Sequence, residues 1–108
     1  MNFQDTKNTL MDHFNSDLAA TVNIDINVTV LSGEPGSFSV AVHSGVCEIV
    51  PEHVPKSDIT VGFLDAETMI DMFTKGASPM SLVMSGKMTI NGNLQKGKEI
   101  KGLFVKNN

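Results

Sequence analysis

Hydrophobic and polar residues alternate along several segments of the chain, and the alternation predicts β-strands. From Val22 to Val30 every second residue is aliphatic and the residues between are polar, a period of two that gives a strand one apolar face and one wet face. Shorter runs with the same period follow at Phe38–Val42, Val46–Val50 and Ile59–Phe63, separated by segments with turn-forming residues. The pattern predicts four strands, of which the first three form an antiparallel meander.

Two other segments show helical spacing. Residues 3–18 place four apolar side chains near one face, which predicts an amphipathic first helix. Residues 66–75 repeat the helical period, with Asp65 positioned to cap the helix and Gly76 positioned to end it. A second helix is therefore predicted directly after the fourth strand.

The last part of the chain predicts a short helix, a fifth strand and a closing helix. A serine cap, Pro79 in the first turn and a following glycine frame a helix over residues 80–85. Residues 87–91 alternate as a strand, and Asn93 is positioned to cap a helix that continues to about Val105. Because a helical crossover usually joins parallel strands, the fourth and fifth strands are expected to be parallel.

The predicted fold class is α+β. Strands that are apolar on one face only require the helices to cover that face. The expected architecture is one domain over residues 1–108, with a five-stranded mixed sheet that combines an antiparallel meander and one parallel crossover. The length of 108 residues and the hydrophobic content of 41% suit one compact core.

Cysteine usage and the N-terminal segment favour a cytoplasmic location. Cys47 is the single cysteine and has no partner for an internal disulfide, which favours a reducing compartment. The opening segment MNFQDTKNTLMDHF has no arginine and no continuous apolar run, so neither a signal peptide nor a transit peptide is expected. No stretch approaches the roughly 18 apolar residues that cross a bilayer.

Charge is divided along the chain. Residues 1–72 hold eleven of the twelve acidic residues and two lysines, whereas residues 73–108 hold six lysines and one glutamate. The chain has no arginine, tryptophan or tyrosine, so the usual base-reading side chains and most base-stacking ones are missing. No nucleic acid partner is expected.

Residues suited to catalysis or metal binding are scattered. His13, His43 and His53 fall on a predicted helix, a strand end and a proline-containing loop, without the spacing of a metal site. No serine stands in a G-x-S-x-G motif, and the glycines are too dispersed for a phosphate-binding loop. We expect no enzyme activity, no metal and no cofactor, and a small enzyme that uses the histidines is the weakest alternative.

Methionine is concentrated in the later part of the chain. The stretch SPMSLVMSGKMTINGN at residues 78–93 contains three of the seven methionines. This unbranched, polarizable side chain adapts to the shape of a ligand, although methionine at helical spacing is also ordinary core. The residues alone leave both interpretations open.

The order of the elements and certain residues resemble the sterol carrier protein type 2 domain. The likeness is strongest over residues 58–104, and residues 1–57 agree in layout. The most specific part matches that family's proline-led helix, Gly-Lys turn, alternating strand and Gly-Asn cap, and consists of Pro79-Met80, Met84-Ser85-Gly86-Lys87-Met88 and Ile90-Asn91-Gly92-Asn93.

The resemblance implies an apolar tunnel between the sheet and the helices. Such a tunnel takes up fatty acyl, sterol-like or isoprenoid lipids, and the implied function is their non-catalytic binding and transfer. One departure is the run Leu94–Ile100, where lysines stand at positions that are commonly apolar in relatives. The implied ligand-binding residues are Met69, Met72, Phe73, Met80, Val83, Met84, Met88, Ile90, Ile100, Leu103 and Phe104.

The basic end of the chain suggests a second partner besides the lipid or fatty acid. The resemblance implies that the closing helix lies at the tunnel mouth, where Lys96, Lys98 and Lys101 are expected to contact an anionic membrane transiently; a solvated helix face that aids solubility is the other interpretation. The alternative function is an interaction or accessory module, whose apolar groove binds a partner protein or a second copy of the chain as a homodimer. Bound lipid would favour carriage, and a clean dimer would favour an interface.

Overall fold

The structure describes residues 1–100 and 102–105. The computed structural model orders the elements as α1 (Phe3–His13), β1 (Asn23–Val30), β2 (Ser37–His43), β3 (Val46–Val50), β4 (Ile59–Phe63), α2 (Ala66–Lys75), α3 (Pro79–Met84), β5 (Met88–Gly92) and α4 (Leu94–Gly97).

The five strands form one mixed sheet in the order β3-β2-β1-β4-β5. This order, with the helices, confirms the predicted α+β fold class. β1, β2 and β3 make the antiparallel meander. The parallel pair is β1 with β4, in register from Ile26 opposite Ile59 to Val30 opposite Phe63.

The pairing of β4 with β5 corrects the sequence prediction, because these strands are antiparallel. Two helices lie between them, and together they return the chain to the end of the sheet where β4 stops. The backbone N–H of Leu64, just after β4, donates to the carbonyl of Lys87, just before β5, at 2.9 Å. The crossover that produces the parallel pair is instead the segment 51–58, which follows β3.

The segment 51–58 packs on the polar side of β1. Asn27 Nδ2 donates to the Val54 carbonyl at 3.0 Å, and Asn27 Oδ1 accepts the Val54 N–H at 2.9 Å. His53 Nε2 lies 2.9 Å from the Val28 carbonyl. These contacts bury Asn27, so the face that simple alternation assigns to water is partly covered.

The apolar face of the sheet packs against α1, α2 and the residues after α4. Phe73 of α2 lies among other rings, with its centroid 5.9 Å from that of Phe63 on β4 and 5.5 Å from that of Phe104. Leu10 of α1 and Leu103 are buried in the same core. The sheet and the helices thus form the two expected layers.

Two helices are shorter than predicted. α1 ends at His13 rather than at residue 18, and the Asn15 side chain then accepts the N–H three residues later, a local bond that competes with a continuing helix. α4 ends at Gly97 rather than at about Val105. Gly102 has a φ of 91°, which a right-handed helix does not contain.

The ends of α2 agree with the prediction. Asp65 Oδ1 accepts the Thr68 N–H at 2.8 Å, and hydrogen bonds from the Thr68 side chain and backbone lower the pKa of the Asp65 carboxyl. Gly76 ends the helix in the left-handed conformation, with a φ of 71°. The cap and the stop fix the position of α2 after β4.

Candidate functional site

A cavity of about 570 Å³ lies between the β4–β5 edge of the sheet and the helices α2, α3 and α4. Pockets of about 300–1,000 Å³ with mostly apolar walls typically hold small organic ligands. Apart from one serine and one lysine, the described part of the wall consists of apolar residues and a glycine. The wall residues are Ile59, Val61, Met72, Ser78, Pro79, Met80, Val83, Met88, Ile90, Leu94, Gly97, Lys98 and Ile100.

Two paired strands supply one side of the cavity. Val61 of β4 lies opposite Ile90 of β5, and Ile59 and Met88 continue the same apolar row. The row forms because side chains two residues apart on a strand share a face. Met72, a buried residue of α2, adds to this side.

α3 forms an outer wall and has no buried residue of its own. Met80 and Val83 line the cavity although 68% and 38% of their surfaces are exposed, so the cavity opens to solvent beside this helix. Ser78 caps α3 by accepting the N–H three residues later at 3.4 Å. At the other end, the Lys87 N–H donates to the Leu82 carbonyl at 2.9 Å.

α4 and the residues after it contribute Leu94, Gly97, Lys98 and Ile100 to the wall. Leu94 is 62% exposed and therefore lies at the opening, whereas Ile100 is buried. Gly97 allows a close approach to the sheet, because a Cβ at this position would lie 2.9 Å from Ile59 Cδ1.

Polar contacts hold α4 against the sheet. The Asn93 side chain accepts the N–H groups of Gln95 and Lys96 at 3.1 and 3.2 Å, and the Asn93 N–H donates to the Asp58 carbonyl at 2.8 Å. Lys96 Nζ donates to the Asn23 carbonyl at 2.9 Å and lies 3.4 Å from Asp58 Oδ1. α4 is therefore held on the sheet by its N-cap residue Asn93 and by the side chain of Lys96.

The structure distributes the eleven candidate ligand-binding residues over three environments. Those in the cavity wall are Met72, Met80, Val83, Met88, Ile90 and Ile100. Those in the buried core and outside the wall are Met69, Phe73, Leu103 and Phe104. The remaining residue, Met84, is 81% exposed on α3 and does not line the cavity.

Sequence reasoning missed seven residues of the wall. Ile59 and Val61 had been assigned to the apolar face of a strand, and their role follows only from the pairing of β4 with β5. The turn and helix residues among the seven carry no periodic signal. The missed residues are Ile59, Val61, Ser78, Pro79, Leu94, Gly97 and Lys98.

The three lysines predicted to meet a membrane differ in their surroundings. Lys96 is bound to the sheet, as described above. Lys98 lines the cavity and is exposed. Lys101 lies outside the described residues.

The histidines lie at separate places with local partners. His13 Nδ1 is 2.8 Å from the Thr9 carbonyl, and His43 Nε2 is 3.0 Å from Asp25 Oδ1, while His53 contacts β1. Burial raises the pKa of the Cys47 thiol to about 12, which disfavours the nucleophilic thiolate. Among the described residues, no group of three potential ligands from His, Cys, Asp and Glu could hold a metal ion.

No helix in the described ranges has the length and hydrophobicity that a membrane crossing requires. The cytoplasmic location stays a prediction.

Comparison with known proteins identifies the family. The sequence profile of the SCP-2 sterol transfer family matches residues 8–105. The chain belongs to this family. Among curated proteins, no sequence matches it significantly. Membership in the SCP-2 family confirms the resemblance carried by the proline-led helix and the Gly-Asn cap, and it supports lipid binding or transfer in general terms.

Solved structures share the SCP-2 fold at low identity. The sterol carrier protein domain 2 of Helicoverpa armigera has a TM-score of 0.65 and 19% identity, over 91% of this chain and 80% of that chain. Sterol carrier protein 2 from Yarrowia lipolytica, in its apo form, has a TM-score of 0.61 and 17% identity, over 90% of this chain and 84% of that chain.

The SCP-2 fold also matches part of a larger enzyme. The inverting sec-alkylsulfatase Pisa1 from Pseudomonas sp. has a TM-score of 0.77 and 19% identity, over 92% of this chain and 16% of the enzyme. The chain thus spans less than one fifth of the length of the alkylsulfatase structures it matches.

Proposed function

We propose that this SCP-2 family member binds the hydrocarbon tail of a lipid in the cavity and carries it without changing it chemically. The observation that supports this function most directly is a cavity of about 570 Å³ lined almost entirely by apolar residues in the described part of the chain. Burial of the tail contributes about 25 cal/mol per Å² of apolar surface. The polar head stays at the opening beside α3, where it keeps its water.

The size of the cavity favours one hydrocarbon chain as the ligand. At about 30 Å³ for each water-sized group, a volume of about 570 Å³ accommodates roughly 20 such groups. A fatty acyl or isoprenoid chain fits within that volume.

The proposed ligand contacts are the six wall residues that the sequence had suggested: Met72, Met80, Val83, Met88, Ile90 and Ile100. We assign Met69, Phe73, Leu103 and Phe104 to the stability of the core, because all four are buried and outside the wall. Met84 is exposed outside the wall, and we assign it to contact with a membrane.

Titration with a fluorescent fatty acid tests the function. We expect saturable binding at one site per chain, reversed by an unlabelled fatty acid that competes for the cavity. At a free ligand concentration of about 100 times Kd, the free energy of unfolding should rise by about 2.7 kcal/mol, which denaturant unfolding measures. Unsaturable binding, or a stability that is independent of ligand, would contradict carriage of a lipid.

The surface around the opening suggests how a lipid enters and leaves. Three large apolar side chains are exposed at the opening or elsewhere on α3: Met80, Met84 and Leu94. Because they are exposed, they contribute little to the stability of the core. The segment 79–98 also contains three lysines and no acidic residue. We propose that these apolar side chains enter the interface of an anionic bilayer while the exposed Lys87 and Lys98 meet its head groups.

Lipid transfer between vesicles tests this membrane contact. We expect Met84→Ser to slow transfer from anionic vesicles by about threefold or more, since an inserted apolar side chain contributes about 0.8 kcal/mol for each buried CH₂ group. Val46→Ser is the control, because Val46 is also an exposed apolar residue, 68% exposed against 81% for Met84, and lies on β3 at the far edge of the sheet. Equal rates for the two variants would contradict the contact, and a dimer that dissociates on Met84→Ser would indicate a homodimer interface instead.

A further inference from the structure

Among the residues that the structure describes, the cavity wall contains one charged side chain, that of Lys98. The other polar side chain of the wall belongs to Ser78, whose oxygen accepts a backbone N–H at the start of α3. The hydroxyl therefore has a structural role in capping. Lys98 is both a wall residue and exposed to solvent, so it belongs to the open part of the cavity.

Within the described residues, the Lys98 ammonium has no ion-pair or hydrogen-bond partner. The contrast with Lys96, two residues earlier, is direct: Lys96 Nζ is bound to the Asn23 carbonyl and lies 3.4 Å from Asp58 Oδ1. Lys96 thus holds α4 on the sheet, whereas the N–H donors of Lys98 remain available to a ligand in the cavity.

The charge of the surrounding segment is uniformly positive. Residues 79–98, which include α3, β5 and α4, carry three lysines and no acidic residue. The nearest acidic residue along the chain after them is Glu99, which is exposed. Asp58 reaches this region from the position just before β4, and its carboxylate is paired with Lys96. An anion at the opening would thus meet an unpaired cation and little opposing charge.

From this arrangement we infer that the cavity selects single-chain amphiphiles with an anionic head, a carboxylate or a phosphate, which Lys98 binds while the chain lies in the cavity. This inference rests on the proposed function and narrows its ligand class. A hydrogen bond from the lysine ammonium to an anionic oxygen is stronger than one to a neutral hydroxyl. The attraction is further strengthened here by the low dielectric of the apolar wall. Lys98 therefore discriminates between head groups, whereas the apolar wall contacts the tail.

Isothermal titration with dodecanoate, dodecyl phosphate and dodecan-1-ol, each below its micellar concentration at pH 8, tests the inference. The quantity to compare is the ratio of the Kd of the alcohol to the Kd of each anion, because taking the same ratio in every variant cancels the intrinsic difference between the ligands. We expect this ratio to fall by about threefold to tenfold in Lys98→Met, which keeps the apolar stem. Lys98→Glu should lower it further.

Lys56→Met is the matched control. It removes the same charge from an exposed position in the segment 51–58, on the other side of the sheet from the cavity. We expect the ratio in this variant to equal that of the unmodified protein. A ratio that is unchanged in Lys98→Met, or that falls equally in Lys56→Met, would overturn the role of Lys98 while leaving lipid binding intact. A protein that binds neither the alcohol nor the anions would contradict the proposed function itself.

Discussion

Val83→Trp is expected to reduce the affinity for a fluorescent fatty acid at least tenfold while the protein remains folded. Val83 lines the cavity from α3 and is 38% exposed, so the larger side chain can be accommodated without breaking a closed core. An indole ring buries roughly 150–250 Å² when it packs against apolar surface, and the cavity is where such surface is available. The ring would occupy volume that the acyl chain needs.

Met84→Trp is the matched control for this experiment. It puts the same side chain on the next residue of α3, where the surface is 81% exposed and outside the cavity wall. The chain has no tryptophan of its own, so fluorescence reports each indole separately. We expect blue-shifted emission from position 83 and solvent-like emission from position 84, with ligand affinity lost only in the first variant.

Equal affinities in the two tryptophan variants would contradict a ligand site at α3. Solvent-like emission from position 83 would contradict an accessible apolar cavity there. The comparison also tests the sequence-based assignment of Met84 to the ligand, because a loss of affinity in Met84→Trp alone would return this residue to the site.

Most of the fold could be predicted because the responsible signals are local. Alternation along Val22–Val30 fixes which face of β1 is buried, and the cap at Asp65 with the stop at Gly76 fixes both ends of α2. The direction of β5 could not be predicted in this way. It depends on whether the connecting helices bring the chain back to the end of β4 or to its beginning. The periodicity of the two strands contains no information about this, because it reports only which side chains share a face.

The candidate site was less predictable than the fold for a related physical reason. A methionine pattern does not distinguish a side chain in a closed core from one beside a cavity, since both require an apolar residue at helical spacing. Met69 and Met72 of α2 are both buried, yet only Met72 lines the cavity. Ile59 and Val61 line the cavity beside residues of β5, so their role depends on which strand pairs with β4, and the sequence pattern does not give that order.

The same two methionines carry the prediction with the largest effect on stability. Met69→Ala is expected to lower the free energy of unfolding by about 2–5 kcal/mol, the cost of deleting a large buried side chain from a closely packed core. Met69 has 0% of its surface exposed and does not line the cavity. The atoms that surround it would be left facing a new void that they can only partly fill.

Met72→Ala should cost distinctly less, about 1–2 kcal/mol, although it deletes the same atoms from the same helix. Part of the Met72 surface already faces the cavity, so the substitution removes fewer packing contacts than at Met69. It enlarges the existing cavity and does not create a new one. Denaturant unfolding of both variants without ligand measures the difference. With ligand, Met72→Ala should gain affinity for a branched or bulkier chain relative to a straight one, whereas Met69→Ala should keep the original preference. Equal losses of stability, with no change of preference in either variant, would mean that Met72 is ordinary core and that the cavity does not reach α2.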